Sequence, residues 1–345
     1  MPAWIPRDTL NKIKKAVERK DEITSVFYIT SQGGEGKTVL LRQMGMWLGS
    51  PDGIQPSKTI LKEDRNVRYS GILDLYHSEV NTNSGLESHI MKGIEDKDEF
   101  RDFILRRQIF TTRRRSGLPP AELEEERQKM ASTFADCFNK VSRWERVVTA
   151  IDTAERVQYE MDEIQIECGI KGETTNVCEW LITQLSLWKN CVVLLVGRPE
   201  KENPYLRKEL EEKINGLAGV HYESLTLGGF NPGEAERFFD QAREDPELAE
   251  ILNPDFCEKL GMAVNRSPIR LELAMEAIHR GYDLEKLTDK VREGTSAEIQ
   301  EQIDKLLIEY VLNPEPHHKE NQVLRYLAVA RKGLNLDLLF YLVND

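Results

Sequence analysis

Apolar residues follow two alternating rhythms along the first two-thirds of this chain. Short, dense apolar runs stand at 24–30, 67–76, 146–151, 191–196 and 220–227. Between them, apolar positions recur every three or four residues among charged ones. The first rhythm predicts strands and the second predicts helices. A helix is expected at 8–20, where Leu10, Ile13 and Val17 stand between lysines. Another runs from Lys37 to Leu48 and is stopped by Gly49-Ser50-Pro51-Asp52-Gly53. Further helices are expected at 84–95, 97–115, 121–141 and 174–189. The last repeats Trp180, Leu181, Leu185 and Trp188 on one face. Cys191 to Val196 is apolar throughout, as suits a strand covered on both faces. Strands alternating with helices predict an α/β fold around a parallel five-stranded sheet, with 96–143 a helical insertion between its second and third strands.

Beyond Gly228-Gly229-Phe230-Asn231-Pro232 the strand rhythm ceases. Residues 232–313 read as four or five helices, including 268–279 and 297–312. Pro314-Glu315-Pro316 breaks the pattern, and 320–345 carries two more helical stretches, 322–330 and 336–343. The expected division is therefore 1–228, 229–313 and 314–345. The length of 345 residues agrees, being too great for one ordinary core.

Composition narrows the function classes. Charged residues make up 31% of the chain, so its surfaces are well solvated, and the net charge of −12 speaks against a dedicated nucleic-acid binder. No apolar run is long enough to cross a bilayer, and Met1-Pro2-Ala3-Trp4 has no signal-peptide pattern. Five scattered cysteines without C-x-x-C spacing read as reduced thiols, and the six histidines form no ligand pattern. A cytoplasmic protein with no membrane partner is expected.

The chemistry concentrates after the first strand, at Ser31-Gln32-Gly33-Gly34-Glu35-Gly36-Lys37-Thr38-Val39. A strand feeding a glycine-rich turn that opens a helix is the context of a P-loop. Backbone N–H groups of Gly33, Gly34, Glu35 and Gly36 would form an anion nest, to which the helix adds its positive end. Lys37 would neutralise the outer phosphates, and the Thr38 hydroxyl would sit on Mg²⁺. Ser31 occupies the position where the full motif has its first glycine. The implied ligand is ATP or ADP with magnesium.

Two further signals belong with the loop. The strand 146–151 ends in Asp152, which places a carboxylate at the C-terminal edge of the sheet, where open α/β sheets bind ligands. Asp152 is the expected partner of Thr38 on the metal, and Glu155 the expected general base. Gly197-Arg198-Pro199 follows the buried strand 191–196, so Arg198 is placed to meet a terminal phosphate with its planar fork. A basic cluster, Arg106, Arg107, Arg113, Arg114 and Arg115, reads as a solvated helix end; grip on nucleic acid or a partner is the other reading.

Taken together, Gly33 to Thr38, Ile151-Asp152-Thr153-Ala154-Glu155 and Val196-Gly197-Arg198-Pro199 resemble the nucleotide-binding module of the STAND ATPases. These are the AAA+-related signal-transduction ATPases of the NACHT and NB-ARC kind. They include plant disease-resistance proteins, animal inflammasome and apoptosome scaffolds, and bacterial antiviral sensors. Leu73 to His77 resembles the second strand of bacterial and fungal members, and Leu227 to Ala235 their entry into a small helical domain. Ser267-Pro268-Ile269-Arg270-Leu271 is similar to the segment whose proline packs on the base. Trp4-Ile5-Pro6-Arg7-Asp8 is similar to the leading segment near adenine, with Pro6 in place of its glycine.

The resemblance implies a molecular switch: an ADP-bound closed monomer that opens with ATP and self-assembles for signalling in defence, regulated cell death or transcription. Nucleotide would be held by the loop with Arg7 and Pro268, and a winged helix would begin in the tail. Sensor and effector domains would lie outside this chain. Thr153 stands where fast ATPases place their catalytic glutamate, which implies slow hydrolysis with Glu155 as the nearest acid. The rival readings are an AAA+ ATPase of the origin-recognition type acting on DNA, an ADP-holding scaffold that never turns over, and a P-loop kinase for a small molecule.

Overall fold

The computed structural model describes residues 5–61, 65–94, 98–117, 119–158, 177–199 and 205–279. The expected helices at 297–312, 322–330 and 336–343, the winged-helix start, His317-His318 and Cys168 lie outside the described residues.

Six strands form one sheet in the order β2-β3-β4-β5-β1-β6. They are β1 (Thr24–Thr30), β2 (Ser57–Leu61), β3 (Arg65–Asp74), β4 (Arg146–Asp152), β5 (Cys191–Gly197) and β6 (Val220–Thr226). All pairings are parallel except that of β2, which runs antiparallel to β3 at the edge. The expectation of five strands therefore needs correction. Ser57-Lys58-Thr59-Ile60-Leu61 holds no apolar run, because an edge strand needs little burial and alternates between half-buried and exposed positions.

Side-chain alternation divides the central strands between two cores. Val26 and Tyr28 of β1 and Val193 and Leu195 of β5 face one cluster; Phe27, Ile29, Val192, Leu194 and Val196 face the other. Helices α1 (Asp8–Glu18) and α2 (Lys37–Trp47) cover the second face. The first is covered by α3 (Asn83–Ile94), α4 (Arg101–Arg115), α5 (Pro120–Ser142), α6 (Val177–Leu187) and α7 (Tyr205–Lys213). Helix α7 went unread in the sequence. Its apolar marks, Leu206 and Leu210, are diluted by charges that pair along the helix as Arg207–Glu211 and Lys213–Glu209.

The insertion packs as a helical hairpin against α6 through an aromatic cluster. Phe138 stacks on Trp188 at 4.4 Å between centroids, and Phe134 meets Phe103 edge-on at 4.9 Å. The buried carboxylate of Glu126 pairs with Arg106, Arg113 and Lys129, one negative charge shared among three cations of the hairpin.

At the opposite edge from the strand ends, Arg146 opens β4 fully buried. Its guanidinium donates to the carbonyls of Ala16, Arg19, Asp21 and Ile23 and to Asn190 Oδ1. Those carbonyls include orphan acceptors from the last turn of α1. Burial pushes its pKa down to about 10.

The chain divides into two compact units, one spanning Pro6–Gly228 and the other beginning again at Gly229. In the second, α8 (Pro232–Ala242), α9 (Pro246–Ala249), α10 (Pro254–Ala263) and α11 (Pro268–His279) surround Phe238, Phe239, Leu260 and Leu271, with Ile5 in the same core. Each helix opens on proline at its first position. Asn231, Asp245 and Asn253 cap the first three, and Asn231 closes a capping box with Glu234. Before α11 the chain turns through Asn265 and Arg266, both left-handed (φ 53° and 49°), where glycine would be the unstrained choice.

Candidate functional site

Strand β1 hands its ladder to the loop without a break. Ser31 N–H donates to Gly197 O at 3.1 Å, one residue past the end of β1. Ser31 is buried and does not adopt positive φ, so this position does not require glycine. Its own atoms are used instead. The Lys37 ammonium donates to Ser31 O (2.7 Å), Ser31 Oγ (3.1 Å) and Gln32 O (2.8 Å), which lays it across the mouth of the loop.

Gly36 is the N-cap of α2 at φ 88°, a left-handed geometry that favours glycine. It offers no side-chain cap to the first N–H groups of α2. A Cβ built on Gly33 or Gly36 would meet nothing within 4 Å, so open space lies above the loop. Burial chiefly lowers the Lys37 pKa; Arg198 adds to this, while Glu155, Asp152 and Glu35 oppose it. Glu35 turns a buried Oε2 with no hydrogen-bond partner. Val39 sits half-buried in the first turn of α2.

Asp152 ends β4 and is buried. Its Oδ2 accepts from Thr38 Oγ1 at 3.0 Å and its Oδ1 from the Thr153 N–H at 2.8 Å. Burial chiefly raises its pKa, with the charges of Asp74 and Glu155 adding to the rise, against the bonds from Thr153 and Thr38. Asp74 is the register partner of Asp152 on the neighbouring strand. It accepts the Thr153 hydroxyl at 2.7 Å and the Tyr76 N–H at 2.9 Å, which holds Thr153 in a left-handed conformation (φ 59°). Sequence reading missed Asp74 as a site residue. The signal was present, since Leu73-Asp74 repeats the apolar-then-acid ending of Ile151-Asp152.

Glu155 lies in a short 3-10 turn, Ala154–Gln158. Its Oε2 accepts from the Arg198 N–H at 2.9 Å, and its Oε1 is 4.0 Å from Arg198 Nε. The carboxylate rests on Gly197: a Cβ there would stand 2.6 Å from Oε2. The Arg198 side chain itself is 70% exposed. Arg7 is buried and donates to Gly228 O at 2.5 Å, two residues past the end of β6 and so at the same sheet edge. The structure thus brings Lys37, Thr38, Asp152, Glu155 and Arg198 onto one edge. Pro268 belongs to the helical unit, where it opens α11.

Thr38 and Asp152 supply hard oxygen donors of the kind that suits Mg²⁺. Among the described residues no group of three His, Cys, Asp or Glu is arranged to hold a metal alone. A magnesium ion fits such a pair when ligand phosphates and water complete its shell, and the open space above the loop leaves room for them.

No family model and no curated protein matches this chain. A solved structure, the Walker-type ATPase PABY2304 of Pyrococcus abyssi, is similar at 13% identity, with a TM-score of 0.45, over 99% of this chain and 88% of that one.

Proposed function

We propose that this chain binds ATP and ADP and hydrolyses ATP slowly, acting as a nucleotide-controlled switch of the STAND kind. The observation that carries the reading is the 3.0 Å contact between Thr38 and Asp152, one residue from a lysine that spans a glycine-rich helix entrance. A phosphate chain would lie along the N–H groups of Gly33 to Gly36 and exchange for the carbonyls that now hold Lys37. Thr38 and Asp152 would hold Mg²⁺, which supplies charge neutralisation at the outer phosphates. Glu155 would orient the attacking water through Oε1, its other oxygen being fixed by Arg198 N–H. Arg198, exposed beside it, would meet the terminal phosphate.

Slow turnover is supported by Thr153, which follows Asp152 and is committed to Asp74. Switching requires that ATP and ADP favour different arrangements of the protein, and Arg198 is the residue assigned to that difference. Self-assembly with ATP is part of the same reading. The DNA-acting alternative loses support because Arg106 and Arg113 are both drawn to Glu126 within the hairpin and the chain carries a net charge of −12.

Calorimetry tests the binding half: Lys37→Ala should abolish ATP and ADP binding, and unchanged affinity defeats the assignment. Single-turnover hydrolysis, compared with Glu155→Gln, tests the catalytic half. A parent with no hydrolysis above the uncatalysed rate makes the protein a non-hydrolysing scaffold, and a measurable parent rate equal to the variant's removes Glu155 from the role of base.

A further inference from the structure

Thr153 holds a backbone conformation that its own side chain opposes. Among the described residues four non-glycines have positive φ, and of these Thr153 (59°) alone is β-branched. The left-handed region crowds a Cβ against the next carbonyl, and a branched Cβ makes the residue an outlier there. Such an outlier persists only where its surroundings over-determine it, and these positions gather at functional sites. The surroundings here come from β3. Asp74 Oδ1 accepts the Thr153 hydroxyl at 2.7 Å, and the next residue, Leu75, donates its N–H to Asp152 O at 3.1 Å. Strand β3 thus grips the 152–153 peptide and the side chain that follows it. The same Oδ1 accepts the Tyr76 N–H at 2.9 Å, which fixes the carboxylate; Oδ2 lies 3.9 Å from His77 Nε2. The grip serves one bond at the site. Thr153 N–H donates to Asp152 Oδ1 at 2.8 Å, which leaves Oδ2 turned to Thr38 Oγ1 at 3.0 Å.

Without the Asp74 carboxylate, Thr153 is drawn back to negative φ. The turn that follows is packed, with Ala154 fully buried and the Arg156 N–H bonded to Thr153 O at 2.9 Å. The 152–153 peptide is therefore the part that moves, and its N–H leaves Asp152. We propose, on the nucleotide reading given above, that Asp74 is a positioning residue for the metal. It keeps Thr153 left-handed so that Asp152 presents Oδ2 beside Thr38. It acts as a hydrogen-bond acceptor and not through its charge. Loss of that acceptor leaves the competent turn about five- to thirtyfold less populated, the usual cost of left-handed geometry for a residue with a Cβ, and the apparent metal-dependent affinity falls by the same factor.

The test measures ADP affinity by calorimetry on the full chain, with excess Mg²⁺ and again with EDTA; ADP is chosen because it does not turn over. Asp74→Ala should weaken ADP about five- to thirtyfold with Mg²⁺ and by no more than about twofold with EDTA. Thr153→Ala removes the hydroxyl, keeps a Cβ and should reproduce that loss. Asp74→Asn keeps an oxygen acceptor and should recover most of the affinity. In a Thr153→Gly background positive φ is free, so adding Asp74→Ala should change affinity with Mg²⁺ by less than about twofold. Thermal melting shows which variants fold, and Thr153→Ala with Asp74→Asn decides the matter should Asp74→Ala fail to fold. Several results overturn the proposal: equal loss with and without Mg²⁺, no loss in Asp74→Ala or Thr153→Ala, a loss in Asp74→Asn as large as in Asp74→Ala, or the full loss persisting in the Thr153→Gly background. The last two make Asp74 a charge that acts on the metal directly. A parent that binds no ADP, or whose affinity survives Lys37→Ala, defeats the reading of the loop itself; a parent bound through Lys37 and indifferent to Asp74 defeats this assignment alone.

Discussion

Adding one methyl group at Gly197 tests how the candidate base is held. The Cβ of an alanine there would stand 2.6 Å from Glu155 Oε2, 3.0 Å from Glu155 N and 3.3 Å from Ala154 N. The carboxylate is the movable part and would swing away, losing its 2.9 Å bond from the Arg198 N–H. The two backbone nitrogens would have to yield by a few tenths of an ångström as well. A hydrogen bond to a charged group contributes about 1.5–3 kcal/mol, so Gly197→Ala should lower stability by roughly 1–3 kcal/mol in urea unfolding. Lys37 and Thr38 are untouched, so ATP affinity should stay within about twofold. A positioned general base is worth roughly 10²–10⁴-fold, and its displacement should slow single-turnover hydrolysis by about a hundredfold. Quench-flow and calorimetry on the same preparation separate the two effects. A variant that hydrolyses ATP at the parental rate would show that Glu155 does not act from its seat on Gly197.

Three other outcomes follow from the same geometry. Asp152→Asn should raise stability near neutral pH while abolishing hydrolysis: burial lifts the Asp152 pKa, so its ionised form costs stability above the ordinary carboxylate range. That advantage should vanish as the pH falls below that range, and a variant less stable than the parent at pH 7 would contradict it. Arg198→Ala should weaken ATP more than ADP in equilibrium titrations, and equal losses would remove Arg198 from the switching role. Arg146→Met should cost about 3–5 kcal/mol, because several buried carbonyls lose a charged donor; a change under about 1 kcal/mol by urea unfolding would refute this.

Sequence reading found what is local and missed what depends on register. Lys37 and Thr38 were legible because strand, glycine turn and helix follow one another within 25 residues. Asp152 was legible because an apolar strand ended in an acid. The same signal at Asp74 acquires meaning only when β3 lies beside β4 and sets the two aspartates level. Ser31 looked like a departure from the motif; its hydroxyl and carbonyl prove to be partners of Lys37. The basic cluster was ambiguous because the acid that Arg106 and Arg113 share, Glu126, sits on the other arm of the hairpin. Strand β2 lacks an apolar run and α7 is mostly charge, so neither stood out from a loop.

The buried guanidinium at the start of β4 also fixes an order of events. Its carbonyl partner in α1 lies 130 residues earlier in the chain. At about 5–20 residues per second of synthesis, α1 waits on the order of ten seconds after its own emergence before its anchor exists. During that interval the amphipathic α1 lacks the clamp that fastens it. The nascent chain is therefore exposed to chaperones and proteases around α1, and substitutions at Arg146 should register as lower yield in cells before any defect appears at the candidate site.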